Sequence, residues 1–525
     1  MDRTIERPAI FIKTISFNDG TTLPLAQDSI VVFTGANNCG KSQVLKDVEL
    51  CFDEQNKLSP KIITNIENEI IGNMDDHFFE THFYYNNEGY LNIYEHTNWR
   101  YTKTDIINYW RKKQLPPHLY KLFVKLVNTK QRLITSQAPR RDSDIESHPI
   151  FKLHKSAILS ETLSKHFRQA FREDIVVDSN EMRSFPLYVG KAPDPDAYTM
   201  TRRDDYYRAV QEKMHRLDEQ GDGMRSFASI LLDTFTSDHS IMLIDEPEAF
   251  LHPPQARLLG QILAQNNNRQ LFISTHSEDF LHGLLDADNN NVTVIRINRK
   301  GNINHMCALQ NSKIEILWSN PLLRYSNILS GLFHEKVVVC ESDYDCLFYQ
   351  AVMDAIYEAK NEIAPDIMFV HCGGKGRMKD VVRALKALNV TVVAIPDFDI
   401  VNEKNTFKPL IEAFGIDWDE HLNVEMTKVY DWLNANQNIK TMIKKTGKNV
   451  LNGQAFAAYS EVEKICRSVG LFVVPCGEIE CFHKIGKEKK DWVYNEIENS
   501  NLATDSELRD AREFVQAIVD FGNGE

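Results

Sequence analysis

Gly35-Ala36-Asn37-Asn38-Cys39-Gly40-Lys41-Ser42 fits the spacing G-x-x-x-x-G-K-S, directly after the apolar run Ile30-Val31-Val32-Phe33 and before a helical stretch. The chemistry open to such a loop is phosphate binding. Its backbone, with Asn37, Asn38 and Gly40, and the helix N-terminus behind it would cradle phosphates, Lys41 would neutralise β/γ oxygens, and Ser42 would hold Mg²⁺. Much later, Ile241-Met242-Leu243-Ile244 runs into Asp245-Glu246-Pro247. A buried strand ending this way delivers one carboxylate, Asp245, able to hold Mg²⁺ through water. It also delivers Glu246, placed to polarise an attacking water.

A second set of acids lies in the C-terminal third. Val337-Val338-Val339-Cys340 delivers Glu341, Asp345 follows at the start of a helix, and Thr391-Val392-Val393-Ala394-Ile395-Pro396 runs into Asp397-Phe398-Asp399. Carboxylates at strand ends face ligand at the C-terminal edge of an open α/β sheet, and an i, i+2 pair there can point the same way. Acids converging at one edge repel each other unless divalent cations bridge them, and oxygen-only ligands suit Mg²⁺ or Mn²⁺.

Elements must bring these residues together, and the pattern supplies them. Residues 8 to 34 read as short strands around the turn Asn18-Asp19-Gly20, residues 43 to 71 carry helical spacing, and residues 81 to 101 read as a hairpin about Asn86-Asn87-Glu88-Gly89. From about 104 to 183 the chain is mostly helical and charged, which predicts an insertion without sustained heptads. Strand signals at Leu187-Tyr188-Val189, 240–244, 271–274 and 292–297 alternate with helices, so the expected class is α/β. A second α/β pattern follows, with strands at 336–340, 367–370, 390–395 and 471–475. The expected organisation is a nucleotide-binding domain over 1–315, a linker over 316–334 and a Rossmann-like domain over 335–525.

Composition bounds the class. At 525 residues and 42% hydrophobic, the chain holds two or three domains with cores of their own. No run approaches the roughly 18 apolar residues of a membrane span, and Met1 to Pro8 lacks the apolar stretch of a signal peptide, so cytoplasm is expected and no membrane. Nine cysteines without a C-x-x-C pair suggest neither a disulfide framework nor a zinc ribbon. A net charge of -14 argues against a broadly basic surface, yet metal-bridged binding of nucleic acid remains open to it. Local basic stretches are Arg111-Lys112-Lys113, Arg140-Arg141, Arg202-Arg203 and Lys484 through Lys490.

The loop at 35–42, the Asp-Glu-Pro strand end with its Leu251-His252-Pro253 turn, and Ser274-Thr275-His276-Ser277 resemble the ABC-type ATPase heads of the SMC and OLD (overcoming lysogenisation defect) group. By that resemblance His276 would sense the γ-phosphate. Gly221-Asp222-Gly223-Met224-Arg225-Ser226 resembles a diverged signature motif, so Gly223 and Arg225 would reach the nucleotide of another subunit and ATP would close a head-to-head homodimer or a higher even oligomer. The strand-Glu and strand-Asp-x-Asp acids resemble the Toprim domain. Gly373-Gly374-Lys375-Gly376 and Cys476-Gly477-Glu478-Ile479-Glu480 fit its OLD version. In that version Glu341, Asp397 and Asp399 would hold one metal, Asp345 and Glu480 would help hold a second, and Lys484 or Lys487 would stabilise the transition state. Ser342 stands where the family usually has glycine.

What the resemblance implies is an ATP-regulated, metal-dependent endonuclease cutting DNA, acting in antiphage defence, with a regulating partner such as a reverse transcriptase carrying its DNA–RNA hybrid. Two other readings stay open: an ATP-driven sensor or clamp with a non-cleaving Toprim part, and a Toprim nuclease acting on RNA, tRNA included.

Overall fold

The computed structural model describes residues 7–53, 58–85, 90–93, 101–141, 148–198, 203–287, 291–309, 329–436 and 442–522. The hairpin turn Asn86-Asn87-Glu88-Gly89, Arg202 and most of the expected linker lie outside the described residues. The chain divides near residue 311 into two compact units.

The first unit is organised by a six-stranded sheet in the order Ile303–Leu309, Val292–Lys300, Ile30–Thr34, Gln270–Ser274, Ile241–Asp245, Val124–Val127. All neighbours are parallel except the antiparallel pair Val292–Lys300 and Ile303–Leu309. Parallel strands are covered on both faces, which explains why they appear in the sequence as continuous apolar runs: Ile30 to Phe33 and Ile241 to Ile244 are all fully buried. Because the strands run the same way, the segments after Thr34, Asp245 and Ser274 leave the sheet at one edge.

Two expectations need correction here. The helix expected over 43–71 ends at Phe52, and Ile63–Ile71 is a strand paired antiparallel with Ala9–Phe17. Ile63, Ile66 and Ile70 do recur at helical spacing, but β-branched residues beside an unpaired strand edge are stabilised more by the ladder. The stretch 104–183 is not wholly a helical insertion, since Val124–Val127 within it is the edge strand of the central sheet.

Asp47, fully buried on the helix Lys41–Phe52, joins these parts. Its Oδ2 accepts the backbone N–H groups of Lys61, Ile62 and Ile63 at 2.8, 2.6 and 3.2 Å, and its Oδ1 accepts from Gln43 Nε2 at 2.7 Å. Asp47→Ala leaves three amide donors without their acceptor. Chemical denaturation should show a loss on the order of 3 kcal/mol, at about 1 kcal/mol or more for each unmade bond. A change below about 0.5 kcal/mol would mean that these amides find other partners.

In the second unit, three parallel strands run in the order Ile367–His371, Lys336–Cys340, Thr391–Ile395. The strand expected at 471–475 is reduced to a parallel bridge between Ala394 and Leu471, made by Ala394 N–H to Gly470 O and Phe472 N–H to Ala394 O, both 2.9 Å. Helices Asp343–Lys360, Lys489–Asn499 and Arg509–Asp520 cover one face over a core that includes Phe348, Tyr349, Trp492 and Val515. No helix among the described residues is long and apolar enough to cross a membrane.

Candidate functional site

The loop of the first unit owes its shape to residues that tolerate left-handed backbone. Gly35, Asn38 and Gly40 take φ of 138°, 60° and 108°. A Cβ on Gly40 would meet Ile62 Cδ1 at 2.6 Å, so that position takes glycine on two counts. Asn304 Nδ2 donates to Cys39 O at 2.6 Å and pins the loop from the side. Lys41 opens the helix and is only 4% exposed. Burial lowers its pKa, against the pull of Glu246 and Glu248. Asn37 and Asn38 are exposed and Ser42 is half-buried at the helix start.

Asp245 lies opposite Ser274 in the sheet and its Oδ1 accepts from Ser274 Oγ. The next residue, Glu246, has φ of 49°, which turns the chain sharply off the strand. Its carboxylate lies 3.7 Å from His276 Nε2. Glu248 Oε1 accepts the His276 N–H at 2.7 Å, and burial raises the pKa of Glu248. Burial, helped by Lys41, pushes the His276 imidazole below its ordinary value. Lys41, Asp245, Glu246 and His276 therefore meet at one sheet edge.

The signature segment sits differently from a free ligand-binding loop. A Cβ on Gly223 would lie 2.6 Å from Phe250 O, so this glycine is required by the turn after Glu246. Arg225 donates to Ser136 Oγ at 3.3 Å, Leu133 O at 2.9 Å and Asp222 Oδ1 at 3.0 Å, all within its own chain. Sequence reasoning missed Arg132, whose Nη1 and Nη2 donate to Asp245 O at 2.9 Å and Glu246 O at 3.0 Å. No local motif marks it, because these two carbonyls lie 113 and 114 residues further along the chain.

In the second unit Glu341 Oε1 accepts the Asp397 N–H at 3.0 Å, which ties the two strand ends together. Asp397 is 6% exposed and its pKa is pushed up to about 8, first by burial, against Lys489, and further by Glu341 and Asp345. Burial likewise raises Glu341 and Glu480. Asp345 accepts from Ser342 N and Ser342 Oγ, both at 2.9 Å, as the capping box of the helix Asp343–Lys360. Ser342 has φ of -130°, extended backbone open to any side chain, so the departure from glycine costs nothing there.

Ammonium groups lie among these acids. Lys489 Nζ is 2.7 Å from Asp345 Oδ1 and 3.7 Å from Asp397 Oδ2. Despite burial, Asp397 and Asp345 hold its pKa above the ordinary value. Lys375 Nζ reaches Asp399 at 2.8 Å and Glu403 at 2.6 Å, and Lys444 Nζ reaches Glu478 at 2.8 Å and Asp399 at 3.4 Å. Of the two lysines named from the sequence, Lys487 bonds Asn495 Oδ1 at 2.5 Å and Lys484 is exposed. The lysine against the acids is Lys489, in the same basic stretch but at the first turn of a helix.

As they stand, no three His, Cys, Asp or Glu side chains among the described residues form a metal-holding group. The donor set nevertheless fits a divalent cation: all oxygens, with Asp399 Oδ1 and Glu480 Oε2 buried and without a hydrogen-bond partner. A cavity of about 650 Å³ opens beside Glu341, lined by Tyr344, His371, Gly373, Gly374, Lys489 and Lys490 among others. The close approach that holds the last motif is at Gly477, where a Cβ would fall 1.9 Å from Lys444 O, and Gly477 O accepts the Phe398 N–H at 2.8 Å.

Residues 30–281 match the family described as "AAA domain, putative AbiEii toxin, Type IV TA system". Residues 332–399 match the family described as "Overcoming lysogenization defect protein-like, TOPRIM domain". An uncharacterised protein of Methanocaldococcus jannaschii is 38% identical over 69 residues, which are 13% of this chain and 60% of that protein, so the chain spans less than two thirds of that relative. Among solved structures, an SMC head bound to the C-winged helix domain of ScpA covers 58% of this chain and 99% of its own, at 12% identity and a TM-score of 0.37. The SMC head from Thermotoga maritima covers 58% and 99%, at 12% identity and a TM-score of 0.31.

Proposed function

Because this chain joins an AAA-type ATPase domain to an OLD-like TOPRIM domain, we propose that it is an ATP-regulated, divalent-metal-dependent nuclease that breaks DNA phosphodiester bonds. The observation that carries this reading is the junction of two strand ends at which Glu341 accepts the Asp397 N–H, with Asp399, Asp345 and Glu480 around it. Glu341, Asp397 and Asp399 would hold one Mg²⁺ or Mn²⁺, and Asp345 and Glu480 would help hold a second. Such ions supply water activation and charge neutralisation at a scissile phosphate. The chain's own contribution is to fix these oxygens at the sheet edge and to bring Lys489 beside them, where its ammonium would offset charge on a phosphate oxygen.

On the ATPase side, Lys41 and the loop amides would bind the phosphates, Glu246 would take the proton of the attacking water, and His276 would contact the γ-phosphate. Gly223 and Arg225 would meet the nucleotide of a second copy in a head-to-head dimer, which requires Arg225 to leave Leu133 and Ser136. Antiphage defence, with a regulating partner such as a reverse transcriptase and its DNA–RNA hybrid, is the biological setting that we propose for this pairing of domains.

The deciding experiment incubates the protein with Mg²⁺ or Mn²⁺ and plasmid across ATP concentrations, beside labelled DNA and RNA. Broken plasmid backbone is expected. Plasmid unchanged throughout would give the clamp reading, and RNA cut in preference to DNA would give the RNA reading. In the same assay Lys489→Met should slow cleavage about 100-fold, the scale for removing one charge-stabilising donor. Lys484→Met and Lys487→Met should stay within about threefold, as surface changes do. Equal losses for all three would mean a general basic surface in place of a single positioned lysine.

A further inference from the structure

Arg132 is a fully buried charge of the first unit that the motifs do not explain. Its side chain is 0% exposed on the helix Thr129–Thr135, at the C-terminal end of the edge strand Val124–Val127. Taking a guanidinium out of water is costly, and an apolar side chain of similar volume would fill such a space at least as well. What an apolar group cannot do is bond. The planar fork of Arg132 spans two consecutive carbonyls, Asp245 O and Glu246 O, and Nη2 also donates to Thr129 Oγ1 at 3.1 Å. The charges facing it are Glu248, Asp245 and Glu246.

Those carbonyls belong to the turn that aims Glu246. A glutamate at φ of 49° sits in a region that L-residues avoid, and such a residue persists only where its surroundings over-determine it. Three bonds do so: Glu246 N–H to Ser274 O at 2.9 Å, Ala249 N–H to Glu246 O at 3.0 Å, and the Arg132 guanidinium. The helix that carries Arg132 is itself gripped by the helix Asp222–Thr236, through Ser229 Oγ to Arg132 O at 2.6 Å and Arg225 Nη2 to Leu133 O at 2.9 Å.

We propose that Arg132 is the positioning residue of the ATP-hydrolysing site: it holds the backbone of Glu246 so that the carboxylate faces the attacking water, and it links that carboxylate to the helix bearing Gly223 and Arg225. The proposal rests on the reading of Glu246 as general base. It assigns Arg132 no contact with nucleotide, so its loss acts on turnover and spares binding.

The test is a double-mutant cycle on the full chain. Arg132→Lys, which keeps the charge and loses the fork, should lower kcat for ATP about 30-fold and leave KM and the affinity for a fluorescent ATP analogue within about threefold. In a Glu246→Gln background, single-turnover hydrolysis should fall by less than about twofold on adding Arg132→Lys, because the two residues act as one unit. Equal losses in both backgrounds, or loss of nucleotide binding in step with kcat, would overturn the proposal. Should circular dichroism show Arg132→Lys unfolded, Thr129→Val takes its place: about threefold lower kcat in the wild-type background and none with Glu246→Gln supports the link, and the same drop in both overturns it. Normal turnover by Glu246→Gln alone is a separate result, one that removes the general base and the positioning role together.

Discussion

On the nuclease reading, Asp397→Ala should abolish cleavage of plasmid DNA, by about 10³-fold or more, and leave ATP turnover within about twofold, since the loss of one ligand would be felt by a whole metal centre. The geometry places this residue among the acids. Its main-chain N–H holds Glu341 Oε1 at 3.0 Å, and its carboxylate faces Lys489 at 3.7 Å inside a cluster shielded from water. Removing the side chain deletes an oxygen donor from the middle of the group while the backbone bond to Glu341 survives. Alanine is the sharper probe, because asparagine keeps one oxygen able to reach a cation. A melting curve beside the assay checks folding, and the relief of crowding among buried acids should hold the Tm or raise it. Retained cutting by folded Asp397→Ala would take this residue out of the metal site and leave the TOPRIM-domain acids without a catalytic role.

The second large effect is on the other domain. Glu246→Gln should slow ATP hydrolysis by about 10²- to 10³-fold, the usual contribution of a general base, with nucleotide binding retained. Glutamine matches glutamate in shape, so the turn at φ 49° and its three backbone bonds stay, and only the proton acceptor is lost. Phosphate release and retention of radiolabelled ATP through gel filtration read the two halves of this expectation. A bound-ATP species of doubled mass would further support the head-to-head dimer. Hydrolysis at the normal rate would assign the base elsewhere, with Glu248 the nearest acid to His276, whose N–H it accepts at 2.7 Å.

How much of this was legible in the sequence follows from where each interaction is encoded. The phosphate loop and the strand ending in Asp245-Glu246 are local: strand, turn residues and helix start sit within a dozen positions, and glycine spacing reports backbone geometry directly. The pairing of Glu341 with Asp397-Phe398-Asp399 was legible because each acid is announced by its own apolar strand. Ile63–Ile71 was not, because its pairing with Ala9–Phe17 is a tertiary contact and its isoleucines recur at helical spacing. Val124–Val127 was hidden for the same reason, a four-residue edge strand inside a helical stretch. The sequence pointed to Lys484 or Lys487 and missed Lys489, because only the structure shows that a helix begins at Lys489 and sets its ammonium against Asp345, which a run of similar charges does not encode.

Leu471 joins the second sheet by a single bridge to Ala394, and Glu480 and Lys489 reach the acids only through the segment anchored there. On the nuclease reading, a ribosome must pass residue 489 before the cutting centre can close around its substrate. Polypeptides that stop early, by frameshift or abandoned translation, would carry the phosphate-binding half and four of the five acids, Glu341, Asp345, Asp397 and Asp399, without Glu480 and Lys489.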